Sequence, residues 1–550
     1  MNTQDILEAV SASFIPAFLL ISTTPSPTQR FIDSLFDNTF AGIHHLDWFD
    51  WAMMVPYFAV LLVLSCYGLH RYEMIRGYWK HRKKFSEVPP QRYEQLPRVT
   101  IQLPIYNEQY VVERLIEAAS RMEYPRNLFE IQVLDDSTDE THLFTEALVA
   151  QYKATGLPID YIYRSNRHGY KAGALQNGLK TATGEIVVIF DADFIPPVDF
   201  LERVVHQFAD PKVGMVQTRW AYLNRHYNVL TEVQAMLLDG HFVLEHVARS
   251  GAGLFFNFNG TAGALRREMI DDAGGWQHDT LTEDSDLSYR AQLKGWKFVY
   301  LPSIECPSEL PVETYGFQVQ QSRWAKGLTQ VAIKLLPKIL KADLPWRVKA
   351  EAIFHLTPNI SYPMMIAVSA LMLPVMIVRF YQGWLQMLLI DLPLIVASFW
   401  SISAFYVIAH RELYPKTWKR AFLFLPALMA AGVALTIINS RAVFEALIGY
   451  QTSFARTPKY AIGGQQKVQI QNIQYRRRSG WLPYAELLVG TYFLGMVVFA
   501  IESYNFLAIP FLMLFVGGYY WAGCTTLWEE YQGKLAWERE QALVYASGGK

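Results

Sequence analysis

Asp191-Ala192-Asp193 sets two carboxylates one residue apart, directly after the apolar run Glu185-Ile-Val-Val-Ile-Phe190. Such a pair at a strand end can hold a hard divalent cation that also bridges phosphate oxygens, because magnesium takes one or two carboxylates plus substrate phosphates in preference to an all-protein cage. A polar turn after a buried strand carries the same letters, and D-x-D arises often by chance. Asp135-Asp136-Ser137-Thr138-Asp139 follows a second apolar run. A helix N-cap needs one such residue, and this stretch consists of nothing else. His168-Gly-Tyr-Lys171-Ala-Gly-Ala-Leu175 opens a helical pattern with glycines and a lysine. Free N–H groups at a helix start attract phosphate, and Lys171 adds a point charge; an ordinary helix start with a surface lysine is the plain alternative. Thr282-Glu283-Asp284 and Gln320-Gln321-Ser322-Arg323-Trp324 come next in order. These residue types point to metal-assisted chemistry on a phosphate-bearing substrate.

The elements that must position them alternate. Val99–Leu103, Ile131–Leu134, Tyr161–Arg164 and Ile186–Phe190 read as strands, and Asn107–Met122, Glu140–Ala154 and Gly169–Thr181 as helices. That alternation predicts a mostly parallel sheet covered on both faces. Ligands of such sheets gather beyond the carboxyl ends of the strands. Leu103-Pro104-Ile105-Tyr106, Asp135-Asp136 and Asp191-Ala192-Asp193 each sit just past a strand.

Composition places this domain at a membrane. The chain has 550 residues, 51% apolar and only 18% charged, with a net charge of −1. Average soluble proteins carry roughly 25% charged residues. The absent basic excess argues against nucleic acid as a partner. Cys66, Cys306 and Cys524 stand far apart, so neither a disulfide framework nor a thiolate metal site is expected. The N-terminus lacks the basic start and cleavage site of a secretory signal and is expected to be retained.

Spanning helices need about 20 mostly apolar residues. Trp51–His70, Tyr362–Phe380, Met387–Ala409, Leu482–Ile501 and Phe506–Cys524 qualify, which makes about five crossings. Arg71, Arg76, Lys80, Arg82, Lys83 and Lys84 follow the first, so residues beyond 71 are expected in the cytoplasm. The links Tyr381–Leu385 and Glu502–Asn505 carry no Lys or Arg, as outside loops should, while Arg411–Arg420 and Arg476–Arg478 are basic. Ala421–Ile438 is apolar too, but a crossing there would put Arg476–Arg478 outside. With Pro426 and Gly432 inside it, 421–450 is expected to be re-entrant or in-plane. Ile6–Ser22, short and holding Pro16, is expected at the interface, and Leu527–Tyr545 as a short polar helix. The domain plan is thus 1–95, 96–345 and 346–550.

The chain resembles a processive family 2 glycosyltransferase of the cellulose synthase superfamily, and is especially similar to the plant cellulose synthase-like mannan and glucan synthases. The resemblance rests on Val133-Leu-Asp-Asp-Ser-Thr-Asp139, Gly169-Tyr-Lys-Ala-Gly-Ala-Leu175, Ile189-Phe-Asp-Ala-Asp-Phe194, Phe258-Asn-Gly-Thr-Ala-Gly263, Thr282-Glu-Asp284 and Gln320-x-x-Arg323-Trp324. It implies a GT-A-like, Rossmann-like α/β domain in the cytoplasm, inserted in a multi-span α-helical membrane domain. It further implies that Pro104, Tyr106, Glu108, Asp135 and Asp136 hold the nucleotide. Asp191 and Asp193 would bind Mg²⁺ or Mn²⁺ at the diphosphate, supported by Lys171, Gln320 and Arg323. Asp284, within Thr282-Glu283-Asp284, would be the general base. Asn259, Gly260, Thr261 and Trp324 would face the acceptor sugar. Phe454, Arg456, Thr457 and Lys459 resemble a gating loop, with Arg456 and Pro458 departing from its commonest bacterial form.

The implied activity is inverting, processive polymerisation of a hexose from a nucleotide-sugar donor, with the growing polysaccharide and the lipid bilayer as partners. Accessory subunits or a homo-oligomer are compatible with it. The product is expected to cross a plasma, inner or Golgi-type membrane through the same chain. UDP-glucose is the favoured donor and GDP-mannose the alternative. A glycolipid-forming transferase and an inactive scaffold are the competing readings. No C-terminal cyclic-di-GMP-binding barrel is expected, because only a short tail follows Cys524.

Overall fold

The computed structural model describes residues 44–85, 89, 91–380, 393–394, 396–452, 457, 459–462, 480–503 and 505–547. The expected interfacial segment Ile6–Ser22, part of the Met387–Ala409 span, the link Tyr381–Leu385, the basic triplet Arg476–Arg478 and the gating-loop residues Phe454, Arg456 and Pro458 lie outside them.

One seven-stranded sheet carries the central domain: β1 (Val99–Ile105), β2 (Phe129–Asp135), β3 (Ile159–Tyr163), β4 (Ile186–Ile189), β5 (Val213–Tyr222), β6 (Gly263–Arg266) and β7 (Lys297–Ser308), in the order β3-β2-β1-β4-β6-β5-β7. All pairings are parallel except those of β6, which runs antiparallel to β4 and β5. The central strands are buried on both sides, so their residues alternate between two cores rather than between core and water. Along β4, Ile186 and Val188 enter a core with Leu115 and Phe200, while Val187 and Ile189 enter one with Leu175 and Phe242.

The helices are α1 (Trp48–His81), α2 (Val112–Ser120), α3 (Thr141–Ala154), α4 (Tyr170–Gly178), α5 (Phe200–Val205), α6 (Val229–Asp239), α7 (His246–Ala252), α8 (Arg267–Asp272), α9 (Glu283–Leu293), α10 (Thr314–Lys341), α11 (Trp346–Leu356), α12 (Ser361–Phe380), α13 (Ser401–Leu413), α14 (Ala421–Ala434), α15 (Thr436–Leu447), α16 (Leu482–Glu502) and α17 (Ile509–Ser547). A π-helical turn, Gly240–Glu245, joins α6 to α7.

Among the described residues three helical stretches are long and apolar enough to cross a membrane: Trp48–Lys84, Pro358–Arg379 and Leu482–Glu502. α14 and α15 form a pair bent by 41°, the geometry of a broken span or a re-entrant element, over the residues where the sequence predicts one. The predicted span Phe506–Cys524 and the predicted polar tail helix form a single 39-residue helix, α17. It is not among the three, because Gly517-Gly518-Tyr519-Tyr520-Trp521 dilutes its apolar stretch.

Helices outside the central domain share its cores. Met74 and Tyr78 of α1, and Phe405 and Ala409 of α13, lie in the same cluster as Leu175 and Phe242 under the sheet. A buried ion cluster reinforces the seam. Arg225 reaches Glu232 at 2.9 Å and Asp239 at 2.6 Å, and also donates to the Tyr414 hydroxyl just past α13. Burial works against the Arg225 charge, and the two carboxylates hold it. Arg225→Leu strands both acids in the interior, which costs about 3–5 kcal/mol. Thermal unfolding in detergent is expected to show a lowered Tm; an unchanged Tm would mean the seam does not depend on the cluster.

Candidate active site

The carboxyl edge of the parallel strands opens into a cleft of about 200 Å³. Each wall is the residue just past a strand: Tyr106 after β1, Asp136 after β2, Asp191 and Asp193 after β4, and Glu309 after β7. Because β6 runs backwards, its leading loop, Asn259–Ala262, arrives at this same edge. The loop is fixed to everything beside it. The Asp191 N–H donates to Thr261 Oγ1 at 2.8 Å, and Lys171 Nζ donates to the Gly260 carbonyl at 2.9 Å. Gly260 has φ +82°, and a Cβ there would stand 2.9 Å from Asp284 Oδ2. Only glycine meets both demands, a left-handed backbone and this close approach.

Lys171, one residue into α4, donates to Asp191 Oδ1 at 2.5 Å. Burial opposes its charge, but Asp191, Glu283 and Asp284 together outweigh it and raise its pKa above the usual value. Glu283 and Asp284 start α9, where helix N–H groups favour anions. The Asp284 carboxylate accepts the Ser285 N–H at 2.7 Å. Burial, followed by the Glu283 charge, pushes Asp284 up to about 7. Burial also raises Glu283 and lowers the Arg323 guanidinium, which faces Glu283, Asp191 and Asp284. Gln320, Arg323 and Trp324 line the cleft from α10. A Cβ on Gly327 of that helix would meet Thr282 Cγ2 at 2.5 Å, so a glycine is what lets α10 close on the start of α9.

Lys459 Nζ donates to Asp193 Oδ2 at 2.6 Å and to the Glu309 carbonyl at 2.9 Å. Thr457 also lines the cleft, its buried hydroxyl without a partner among the described residues. Among those residues no group of three or more His, Cys, Asp or Glu side chains is gathered for a metal. The donor set on offer is the two carboxylates after β4, each already facing a cation in the form of an ammonium group.

Of the residues the sequence singles out, Pro104, Tyr106, Glu108, Asp136, Lys171, Asp191, Asp193, Asn259, Gly260, Thr282, Glu283, Asp284, Gln320, Arg323, Trp324, Thr457 and Lys459 come together in this cleft. Asp135 and Thr261 do not line it. Asp135 is fully buried, accepting from the Ser137 N–H at 2.7 Å and the Tyr161 hydroxyl at 3.0 Å, and so holds the turn beneath Asp136. Thr261 is buried and holds Asp191 through its hydroxyl.

Sequence reasoning passes over Arg167 and Glu309, which line the cleft, and Arg164, which braces it. Arg164 grips both oxygens of Asp136, at 2.8 and 2.5 Å. The Arg167 guanidinium stacks 3.2 Å from the Tyr106 ring centre. The Glu309 carboxylate accepts the N–H groups of Tyr460 at 2.7 Å and Ile462 at 3.1 Å, docking the segment that bears Lys459. Arg164 and Glu309 each follow a strand, the signal that found the aspartates.

Residues 97–327 of the chain match the family model described as glycosyltransferase like family 2. Its sheet is the mixed, mostly parallel one of GT-A-like folds. The chain is similar to glucomannan 4-beta-mannosyltransferase 2 of Arabidopsis thaliana, 41% identical over 279 residues, which are 49% of this chain and 52% of that one. It is similar to glucomannan 4-beta-mannosyltransferase 9 of the same plant, 43% identical over 249 residues, 44% and 47% of the two chains. Probable glucomannan 4-beta-mannosyltransferase 7 of Oryza sativa subsp. japonica is 40% identical over 303 residues, 51% of each chain. The chain spans about half the length of these curated relatives. Among solved structures, the mannosyltransferase PcManGT from Pyrobaculum calidifontis, in complex with GDP-Man and Mn²⁺, is 26% identical with a TM-score of 0.46, covering 65% of this chain and 99% of that one. S. aureus TarS 1-349 is 16% identical with a TM-score of 0.36, covering 64% and 89%.

Gly260 offers the sharpest test of the geometry. Gly260→Ala must strain the backbone and push Asp284 aside, and a displacement of about 1 Å at a reacting group costs about 100-fold in rate. The variant is expected to keep its Tm within a few degrees and lose transfer to that extent. Wild-type turnover would show that the loop does not fix Asp284.

Proposed function

We propose that the chain is a membrane-bound inverting hexosyltransferase that extends a β-linked polysaccharide, with mannosyl as the transferred group. The carrying observation is the convergence of Asp284, Lys171, Asp191 and the Gly260 carbonyl at one point of the cleft: a proton acceptor poised near neutrality beside a phosphate-binding edge. The relatives are named for 4-β-mannosyl transfer, which supports GDP-mannose over the UDP-glucose the sequence favours.

In this reading Tyr106, Glu108 and Asp136, steadied by Arg164, hold base and ribose. Asp191 and Asp193 fit a hard divalent cation, Mg²⁺ or Mn²⁺, whose remaining ligands arrive with the phosphates. When bound, it offsets the charge growing on the departing diphosphate. Lys171, Arg323 and Gln320 orient the same diphosphate. Trp324 presents an indole face to the terminal acceptor sugar, and Thr457 lies over the nucleotide. Asp284 takes the proton from the acceptor hydroxyl as its oxygen bonds to the anomeric carbon. The bond from that carbon to the diphosphate oxygen breaks in the same displacement, and the configuration inverts. One base suffices because the leaving group departs as an anion. The catalytic domain would face the cytoplasm, with the polymer leaving along the membrane helices behind α10.

The test is product formation by purified protein given radiolabelled GDP-mannose or UDP-glucose with Mg²⁺ or Mn²⁺. High-molecular-weight product from GDP-mannose, degraded by a β-mannanase, is the expected result. A single sugar on extracted lipid would replace polymerisation by glycolipid synthesis. Asp284→Asn is expected to lower kcat by about 10²–10⁴-fold, the worth of a positioned base.

The pH dependence follows from the same residue. Asp284 must be ionised to act, and its pKa stands near 7. kcat/KM is therefore expected to fall about tenfold per unit as pH drops below 7, and to level off above it. A profile flat from pH 5 to 8 would remove Asp284 from the role of base.

A further inference from the structure

Behind Asn259 lies a histidine pair, His246 buried and His241 part-buried, that the transfer reading leaves without a task. His241 comes from the π-helical turn and His246 from the start of α7, their rings 4.2 Å apart. His246 Nε2 meets Asn259 Oδ1 at 2.6 Å, and Asn259 Nδ2 meets His241 Nε2 at 2.9 Å. The protons can be placed from the outer end inward. His241 Nδ1 lies 3.0 Å from Glu245 Oε2, an acceptor only, so that nitrogen carries the proton. In the neutral ring His241 Nε2 then offers a lone pair, which pairs with the amide nitrogen of Asn259 opposite it. The amide oxygen therefore faces His246, whose Nε2 must carry a proton. Glu245 is itself held by Arg249 at 3.0 Å, and Arg249 by Glu351 at 2.7 Å.

A purely packing role does not account for His246. It is fully buried among Phe242, Phe256 and Tyr300, surroundings that suit a phenyl ring. As a histidine it carries a buried Nδ1 with no partner among the described residues. An orphaned ring nitrogen is destabilising, so what the imidazole adds here is the one bond to Asn259.

We infer that His241 and His246 are positioning residues that lock the Asn259 amide in one of its two orientations, making Asn259 a fixed reader of a hydroxyl on the acceptor sugar. An amide has two donor and two acceptor positions. The histidines use one of each, leaving one donor and one acceptor position at a residue that lines the cleft next to Gly260 and Asp284. A hydroxyl both donates and accepts, so it matches this pair in one arrangement. Without the clamp the amide turns over, and donor and acceptor change places. The inference rests on the transfer reading and names how the acceptor, rather than the donor, is recognised.

The experiment uses the full chain in detergent, with a soluble β-linked manno-oligosaccharide varied at saturating GDP-mannose, then the reverse. His246→Phe keeps the ring volume and removes the N–H. It is expected to lower kcat/KM for the acceptor about tenfold or more, with the donor KM within about twofold. His241→Phe should behave alike. In an Asn259→Ala background, either change should add less than about twofold, since both act through the same amide. His246→Gln, which restores an N–H donor, should recover most of the loss. Wild-type acceptor kinetics in His246→Phe would overturn the inference. So would an undiminished loss in the Asn259→Ala background, or a matching rise in donor KM. Should His246→Phe not fold, judged by its size-exclusion profile and Tm, the His241→Phe cycle decides on the same criteria. A wild-type chain inactive with every donor and acceptor would overturn the transfer reading and this inference with it.

Discussion

Three carboxylates, Asp191, Glu283 and Asp284, surround one lysine, and the cleft is built around keeping that group of charges together. Left alone, buried acids this close would protonate or separate. Lys171 prevents both by bonding Asp191 directly and by sitting in the field of the other two. Burial and the neighbouring Glu283 charge nonetheless push Asp284 up to about 7. The ammonium is what steadies the Asp191 carboxylate at the end of β4. The second lysine, Lys459, does the same for Asp193 from a segment far along the chain.

Much of this was legible beforehand because strand ends and helix starts leave local marks. Asp136, Asp191 and Lys171 follow apolar runs or open a helical pattern, and β1 to β4 fall where those runs predict. The reversal of β6 left no such mark. Gly263–Arg266 is four residues long, and nothing in its letters distinguishes parallel from antiparallel pairing. That reversal is what carries Asn259–Ala262 to the carboxyl edge, so the loop was known by resemblance and not by topology. Asp135 shows the opposite limit. Adjacent aspartates look equivalent in sequence, yet successive residues at a strand end point to opposite sides. One faces the cleft and the other bonds Ser137 and Tyr161 below it.

The membrane segments were read from length and charge, which identify apolar helices but not their breaks. The interruptions in the sequence are Pro426 and Gly432 within α14 and Asn439-Ser440-Arg441 within α15, yet the bend comes at Leu435, between the two helices. The partners explain the position. α14 packs through Leu425 and Leu428 against Val233 and Met236 of α6, whereas α15 offers Glu445 to Lys326 of α10 at 2.8 Å. Two different neighbours pull the two halves along different axes.

The boundary drawn from sequence between a soluble domain and a membrane region is therefore one of composition and not of structure. The π-helical turn makes the point. A Cβ on Gly240 would stand 2.6 Å from Phe405 of α13, so a glycine here lets the turn press against that helix. The next residue, His241, touches Asn259 in the cleft, and Glu245 closes the turn onto Arg249. Arg249 in turn bonds Glu351, which also bonds His70 of α1 at 2.8 Å. Interiors are close-packed and transmit displacement rather than absorb it. A shift of α1 or α13 must then reach the Asn259 loop, and with it the spacing between Lys171, Asp191 and Asp284. The geometry of the cleft is held from these outer helices as well as from the sheet, through the chain of contacts that runs from Asn259 to Glu351 and His70.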